Sequence, residues 1–174
     1  MVLIPLAEGR IVPSQVVDIQ VGQRGRPGAL KGIFDTNTTI GTITSNTSYG
    51  LFGNSDKLQG ELMPVDVADN EEIHEGKAVI LSNISGDQVE EFDVEITKLF
   101  PEESNGRNLL ITITDEELLE ATGGIVQGMS GSPILQDGKL IGAVTHVLVN
   151  DPTRGYGIFI ENMLQANQAY SSAA

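Results

Sequence analysis

Apolar residues occur along this chain in short runs that are interrupted by glycine, proline, asparagine and aspartate. Runs of this kind, rich in β-branched residues and bounded by turn residues, are typical of strands. Within residues 9–21 the pattern is broken at Pro13, as at a sheet edge or a bulge. The pattern predicts further strands over residues 29–34, 38–44, 77–83, 89–100 and 109–113, and a long polar loop over 46–59.

Two segments change from the strand pattern to a helical one. Thr114 and Glu117 form a capping box, which predicts a short helix with Thr114 as its N-cap. This helix should run to about Ala121 and stop at the glycine pair 123–124. A second helix is predicted over residues 161–169. The elements together predict one mainly β, antiparallel domain of the barrel or sandwich type with two short helices.

The composition supports a single domain and limits its chemistry. The chain has 174 residues, 40% of them hydrophobic, which is enough for one compact core. It contains no cysteine, which excludes a disulfide framework and a thiolate metal site. The net charge of −14 argues against nucleic acid or an anionic membrane as the main partner.

The beginning of the chain resembles neither a signal peptide nor a membrane anchor. The apolar stretch Met1–Leu6 is too short for either and lacks a positive flank. We therefore expect no direct membrane insertion by these residues. The abrupt start predicts a segment of a longer protein.

The most informative motif for chemistry lies at residues 127–133 and reads Gln-Gly-Met-Ser-Gly-Ser-Pro. A serine between glycines suits a nucleophile on a tight turn, and Ser130 is the candidate. Gly128 lets the backbone approach a bound carbonyl, so that the N–H groups of Gly128 and Ser130 can form an oxyanion hole. The alternative is an ordinary glycine-rich turn between two strands.

The residues that follow this motif favour the interpretation of Ser130 as a nucleophile. Residues 134–147 read as strand, Asp-Gly turn and strand, which is a strong hairpin signal. A Gly-x-Ser-Gly-x-Pro motif before such a hairpin resembles the trypsin-like proteases. Residues 110–115, this motif and the Gly-Tyr-Gly-Ile-Phe-Ile segment 155–160 are similar to the C-terminal half of the bacterial Deg-type proteases.

A more specific resemblance covers nearly the whole chain. Residues 122–134, the Gly-Ala-Val-Thr-His-Val segment 142–147 and the Val-Asn-Asp-Pro-Thr segment 149–153 resemble the stage IV sporulation protein B family. Members of this family are serine peptidases through which a developing endospore signals to its mother cell. The resemblance implies a trypsin-like antiparallel double β-barrel with its N-terminal part truncated. It also implies that residues 1–174 are a single serine peptidase domain.

The same resemblance implies the catalytic residues. It matches Ser130 to the nucleophile and Asp115 to the acid, and it places the histidine in a Gly-His segment upstream of residue 1. Asp115 has an alternative explanation, because an aspartate at a helix start is favourable beside the helix dipole. Since a serine without a base is a poor nucleophile, we expect the isolated chain to be inactive or nearly so.

The chain contains two histidines, and neither lies in the expected context. His146 follows the serine hairpin on a strand that forms a wall of the specificity pocket in trypsin-like folds. We therefore expect it to line that pocket; the alternative is a hydrogen-bonded core histidine. His74 lies in an acidic segment and should be exposed and inert, and the acidic residues around it fit a solvated loop better than a cation site.

The implied function is that of a sporulation-signalling endopeptidase. The resemblance implies cleavage of a regulatory membrane protein that triggers a mother-cell sigma factor, with self-cleavage as a further possibility. It places the enzyme between the forespore and mother-cell membranes, with a PDZ domain and a membrane anchor outside this chain. Neither a cofactor nor a metal is expected. The alternatives are a non-catalytic protease-like module and a Deg-type quality-control protease.

Overall fold

The computed structural model describes residues 9–55, 64–103 and 105–171 of the chain, with the side chains of 168–171 excepted. Most of them lie in antiparallel strands. The strands are β1 (Gly9–Ile11), β2 (Ser14–Gln20), β3 (Ala29–Phe34), β4 (Gly41–Thr47), β5 (Gly50–Asn54), β6 (Gly76–Ser85), β7 (Gln88–Leu99), β8 (Leu109–Ile113), β9 (Pro133–Gln136), β10 (Lys139–Leu148) and β11 (Asp151–Phe159). The helices are α1 (Glu116–Thr122) and α2 (Ile160–Ser171), and a 3₁₀ turn spans Asn70–Glu72.

Six of the strands form a closed barrel in the order β10-β11-β8-β7-β6-β9. Its closure depends on the pairing of β6 with β9, in which Ile80 lies opposite Ile134. Both side chains are fully buried, and burial of each contributes about 2 kcal/mol. The predicted mainly β, barrel-type fold with two helices is confirmed. The remaining strands form two smaller sheets, β1-β4-β5 and β2-β3, beside the barrel.

Alternation along β7 shows how the sequence specifies the barrel. Phe92, Val94 and Ile96 are buried, whereas Asp93 and Glu95 between them are exposed. Because successive side chains of a strand point to opposite faces, this order sends the apolar set into the core and the carboxylates into solvent. The next strand back, β6, pairs with β7 so that Ile80 lies opposite Phe92.

The turn between β9 and β10 is formed as predicted. Asp137 and Gly138 both have positive φ, 52° and 78°. Positive φ at both central residues is the requirement of a type I′ turn, which aspartate tolerates and glycine favours. This turn therefore fixes the hairpin that directly follows the serine motif.

Two predictions about local structure are wrong. Residues 46–54 are not a loop, because β4 extends to Thr47 and pairs with β5; residues 56–59 lie outside the described residues. The polar side chains of this hairpin hide the alternation that marks a strand. The N-cap of α1 is Asp115 rather than Thr114, and its carboxylate accepts a hydrogen bond from the Leu118 amide at 2.8 Å.

The ends of the helices agree with the sequence pattern. The first helix stops at Gly123, whose φ of 73° is the left-handed conformation of a glycine C-cap. The second helix contains the predicted residues 161–169 and starts one residue earlier. Within the described residues, no helix has the length and apolarity needed to cross a membrane.

Candidate active site

The serine loop connects the end of α1 to β9 and is fastened by Met129. This side chain is fully buried, and its sulfur accepts a hydrogen bond from the Val126 amide at 3.5 Å. The Ser132 amide closes the turn by donating to the Met129 carbonyl at 3.0 Å. With Met129 held in the core, the adjacent Ser130 is turned outward and is exposed.

The two glycines beside the serine have backbone conformations that other residues rarely adopt. The φ angles of Gly128 and Gly131 are 105° and 93°. A Cβ on Gly131 would contact nothing, so glycine is required there only for the backbone conformation. A Cβ on Gly128 would in addition press on the Leu30 side chain at 3.1 Å. Both glycines are therefore needed for the loop to present Ser130.

Two backbone amides of the serine loop have no acceptor among the described residues. Among the residues that the structure describes, neither the Gly128 N–H nor the Ser130 N–H donates a hydrogen bond within the protein. Both residues are exposed, so these donors are available to a ligand. The neighbouring Gly131 amide is engaged, because it donates to the Val144 carbonyl at 2.8 Å.

The Ser130 hydroxyl itself donates to the carbonyl oxygen of Thr145 on β10 at 3.3 Å. In the described part of the chain, no histidine is hydrogen-bonded to it. A serine hydroxyl bound only to a carbonyl has no group that can take its proton. As it stands, this serine is positioned but not activated.

Ser130 lies between two cavities. One is a cleft of about 500 Å³ between the β2-β3 sheet and the barrel, lined by Leu30, Phe34, Ser82, Val89, Ser132 and others. The other has a volume of about 430 Å³ and is lined by Tyr49, Leu51, Thr145, His146, Ile158 and Met163, among others. None of the described residues that line this second cavity is an acid, a lysine or an arginine. It fits an uncharged side chain.

His146 lies at this second cavity, on β10 and directly opposite Tyr156 of β11. It is exposed, and no described group is hydrogen-bonded to its ring. Partial burial, followed by the positive charge of Arg107, lowers the pKa of His146 below its ordinary value. The ring is therefore neutral near pH 7 and presents both a hydrogen-bond donor and an acceptor.

His74 lies elsewhere and is exposed, as the sequence indicated. Its Nε2 is 3.0 Å from a carboxylate oxygen of Asp137, and its Nδ1 is 3.0 Å from the Glu75 carbonyl. Hydrogen bonds to the Glu75 carbonyl and to Asp137 raise the pKa of His74. Glu75 directly precedes β6 and Asp137 belongs to the turn after β9. His74 is not among the described residues that line either cavity.

Asp115 is half-buried at the start of α1, and both of its carboxylate oxygens accept hydrogen bonds from the backbone. One accepts from the Leu118 amide at 2.8 Å and the other from the Asp93 amide at 3.3 Å. These contacts are those of a helix cap that also ties α1 to β7. Asp115 is not among the described residues that line the two cavities beside Ser130.

Part of the site could not be recognised in the sequence. The β4-β5 turn brings Tyr49 and Gly50 to the second cavity, and a Cβ on Gly50 would meet the Met163 methyl group at 3.2 Å. This turn lies in the polar stretch that predicts a loop. The only available signal was the short aromatic and glycine segment at residues 49–53.

The acidic segment before β6 is held by protein contacts. Asp69 and Glu72 form a capping box around the 3₁₀ turn, and Glu72 pairs with Lys139. In the described ranges, no group of three or more histidine or acidic side chains could hold a metal ion.

Comparison with known proteins gives two kinds of match. The family model described as SpoIVB peptidase S55 matches residues 1–164. Among solved structures, the inactive form of a serine-to-alanine mutant of Rv3671c from M. tuberculosis aligns with a TM-score of 0.56 and 16% identity, covering 85% of this chain and 71% of that one. The inactive form of the Rv3671c protease aligns with a TM-score of 0.54 and 16% identity, covering 83% and 72%. No curated protein matches the sequence.

Proposed function

Since this chain belongs to the SpoIVB peptidase S55 family and is a serine protease domain, we propose that Ser130 is its nucleophile and that it cleaves polypeptides through an acyl-enzyme. One observation supports the assignment most strongly. The loop that exposes the Ser130 hydroxyl also carries two backbone N–H groups, those of Gly128 and Ser130, that donate to no described acceptor. A hydroxyl next to two unused donors is the arrangement that acyl transfer requires.

In the proposed reaction the Ser130 oxygen attacks the carbonyl carbon of the scissile peptide bond. Its proton passes to a histidine base, and the carbonyl oxygen becomes an anion bound by the two free amides. Collapse of this intermediate breaks the C–N bond, and the histidine gives its proton to the leaving amine. Water then hydrolyses the ester by the same steps, which regenerates the serine.

We propose that the base is the upstream histidine that the family pattern implies. Neither His74 nor His146 is hydrogen-bonded to Ser130. The cleft between the β2-β3 sheet and the barrel reaches Ser130 and is lined by the exposed apolar side chains of Phe34 and Val89. A segment packed in this cleft would bury that surface and bring a base to the hydroxyl.

The substrate chain is proposed to lie along β10. The pairing of β10 with β9 ends at Ala143, whereas its pairing with β11 continues to Leu148. Val144 still exchanges backbone hydrogen bonds with Gly131 and Ser132 of the serine loop. Beyond Val144, one edge of β10 is without a strand partner among the described residues. An extended polypeptide can add to such an edge through main-chain hydrogen bonds.

Residue preference is proposed to come from the second cavity. Its described lining is uncharged and mostly apolar, with the neutral His146 at one side. We expect an uncharged side chain before the cleaved bond, with His146 contacting it. The lack of a charged wall disfavours lysine, arginine, aspartate and glutamate there.

Labelling by peptidyl phosphonates, in the protein that carries the upstream segment, tests whether Ser130 is the nucleophile and whether the domain is a peptidase. We expect covalent labelling at Ser130, complete loss in Ser130→Ala, and retention in the control Ser132→Ala. Among the described residues, the neighbouring Ser132 hydroxyl is hydrogen-bonded only to that of Ser82, at 3.3 Å. Mass spectrometry of the labelled peptide gives the site. Labelling that persists in Ser130→Ala would contradict the nucleophile, and no labelling at all would favour the non-catalytic module.

The same reagents test whether His146 contributes to residue preference. With phosphonates that differ in the side chain before the reactive centre, His146→Ala is expected to change which reagent labels fastest. An unchanged order together with a lower melting temperature would show instead that His146 has only a structural role.

Asp115 is proposed as the residue that orients the base, in line with the family pattern, and two substitutions separate this role from capping. Asp115→Ala removes the cap and is expected to cost about 1 kcal/mol of unfolding free energy. Asp115→Asn keeps an N-cap oxygen and is expected to retain most of that stability. The catalytic proposal requires kcat to fall steeply in Asp115→Asn. Unchanged kcat in that variant, measured beside urea unfolding, would leave Asp115 as a cap alone.

The biological role is proposed from the family. We propose a sporulation-signalling peptidase that acts between the forespore and mother-cell membranes and cleaves a regulatory membrane protein, and also itself. The PDZ domain and membrane anchor of the family would lie outside these residues. A Deg-type quality-control role is the alternative. Incubation of the complete enzyme with an unfolded model protein distinguishes them, since a signalling enzyme should leave most of that protein intact.

A further inference from the structure

A single row of side chains crosses the outer face of the barrel beside the second cavity. His146 of β10 lies opposite Tyr156 of β11, which lies opposite Leu110 of β8, which lies opposite Lys98 of β7. Directly paired residues of antiparallel strands share a face. This face is the outer one, because Leu109 and Ile111 on either side of Leu110 are fully buried in the core.

Two cations lie over aromatic rings on or beside this row. The Arg107 guanidinium carbon is 5.4 Å from the centre of the Tyr156 ring, and the Lys98 Nζ is 5.1 Å from that of Phe100. The two rings are 6.5 Å apart at an interplanar angle of 57°. Each contact holds a flexible cation in a fixed place. We use the name cationic face for His146, Tyr156, Leu110, Lys98, Phe100 and Arg107.

The charges of this face are not neutralised by the protein. The chain has 24 acidic residues against 10 lysines and arginines, and the described lysines and arginines form two ion pairs. Lys31 pairs with Asp18 and Lys139 pairs with Glu72. In the described parts of the chain, Lys98 and Arg107 form no ion pair, and both are exposed. These two charges remain available to a ligand.

The face is continuous with the cleft of the proposed peptidase, because His146 belongs to both. A substrate strand added to β10 in the antiparallel sense of this barrel places its residues before the cleaved bond toward Val147 and Leu148. From His146 to Lys98 there are three inter-strand spacings of about 4.8 Å, or about 14 Å. About four or five extended residues cover that distance.

From this geometry we infer that the cationic face binds an acidic segment of the substrate polypeptide that precedes the residues held in the cleft. The inference rests on the proposed function, since it needs the cleft to bind the substrate. Arg107 and Lys98 contact carboxylates of the segment, and the rings of Tyr156 and Phe100 support its backbone and the stems of its side chains. Acidic residues upstream of the cleaved bond thereby become part of substrate selection.

Binding of fluorescein-labelled peptides to the 174-residue chain tests the inference without catalysis. The probes are a neutral core peptide of Ala, Val, Ser and Thr and the same core with five N-terminal glutamates, five N-terminal glutamines or five C-terminal glutamates. The net charge of −14 repels acidic peptides in general. General electrostatics therefore predicts weaker binding of both glutamate peptides, whereas the cationic face predicts tighter binding of the N-terminal one only.

We expect the N-terminal glutamates to lower the dissociation constant about tenfold relative to the glutamine peptide at low salt, with a smaller gain at high salt. The double variant Lys98→Gln/Arg107→Gln should remove that gain. The control Arg10→Gln/Lys31→Gln removes two positive charges from other sheets and should keep it. All four residues are exposed, so the variants should fold, and melting temperatures verify this.

The inference is overturned if the peptides with N-terminal glutamates and N-terminal glutamines bind with equal affinity. It is also overturned if C-terminal glutamates raise the affinity as much as N-terminal ones, or if both double variants lose the gain in affinity equally. Binding of the neutral core peptide reports on the proposed function separately. Loss of core binding contradicts the peptidase cleft, whereas core binding without a gain from N-terminal glutamates contradicts the cationic face alone.

Discussion

In the complete peptidase, Ser130→Ala is expected to lower kcat by about 10⁵- to 10⁶-fold, which removes almost all of its activity. Loss of the hydroxyl removes the acyl-enzyme route, and only the two amide donors and the binding cleft remain to assist attack by water. KM should change little, because alanine removes one exposed oxygen and leaves both cavities open. Initial rates with a fluorogenic peptide, measured over a range of concentrations, separate the two constants.

The isolated 174-residue chain is expected to show a similar loss of rate. Loss of the base alone costs about as much as loss of the nucleophile, because the two act as one unit. The isolated chain should therefore cleave at the level of the Ser130→Ala enzyme, and Ser130→Ala within it should lower the rate no further. Measurable cleavage by the isolated chain that disappears in Ser130→Ala would show that a base is already present within it.

Asn108→Ala is expected to destabilise the fold by about 3–5 kcal/mol. Asn108 is 0% exposed and makes four side-chain hydrogen bonds. Its Nδ2 donates to the carbonyls of Phe100 and Glu103 at 3.2 and 2.7 Å. Its Oδ1 accepts from the Phe159 amide at 3.2 Å and the Asn162 side chain at 3.0 Å. The truncation leaves a cavity and removes a hydrogen bond from each of these four groups, of which the Phe159 amide belongs to a buried residue.

Urea unfolding of the wild-type chain and Asn108→Ala measures this loss, which is a large share of the roughly 5–15 kcal/mol of a typical domain. Asn105→Ala is the matched control: its side chain is exposed and donates one hydrogen bond, to Glu103 at 2.9 Å. That control should cost less than about 0.5 kcal/mol. Equal effects of the two substitutions would show that the network of Asn108 contributes nothing beyond a surface contact.

The hydrogen bonds of Asn108 also support the candidate active site. Asn108 links the loop before β8 to the end of β11 and to α2, whose Ile158 and Met163 line the second cavity. In the same loop, Gly106 accepts a hydrogen bond from the Thr145 hydroxyl at 2.7 Å. Thr145 in turn accepts from Ser130 through its carbonyl oxygen. A loosened loop should therefore also disturb the wall of the cavity beside the serine.

Features that depend on neighbouring residues were readable from the sequence. The turn at Asp137 and Gly138 needs positive φ at both positions, and Gly123 ends α1 for the same conformational reason. The alternation of β7 specifies its buried face. The glycines around Ser130 identify an exposed serine loop, because few other sequences permit its backbone angles.

Where local signals were weak or ambiguous, the sequence was misleading. The burial of β4 alternates along the strand, but polar residues occupy both of its faces. The sequence therefore shows no apolar-polar alternation there, and the hairpin is recognised only from its strand pairing. Thr114 and Asp115 are both good N-cap residues. The choice of Asp115 depends on the backbone of β7, because Asp93 offers its amide to the second carboxylate oxygen.

By itself, then, the sequence determined five of the six barrel strands, β11 excepted, together with the two helices and the loop that carries Ser130. Each of these depends on backbone preferences and burial patterns within a few residues. Only the tertiary structure decided which strands that are distant in the chain are neighbours. The closure of the barrel by β6 and β9, the burial of Asn108 and the row from His146 to Lys98 join residues that are distant in the chain. Such pairings are selected by the burial of the whole core, which no local stretch of sequence encodes.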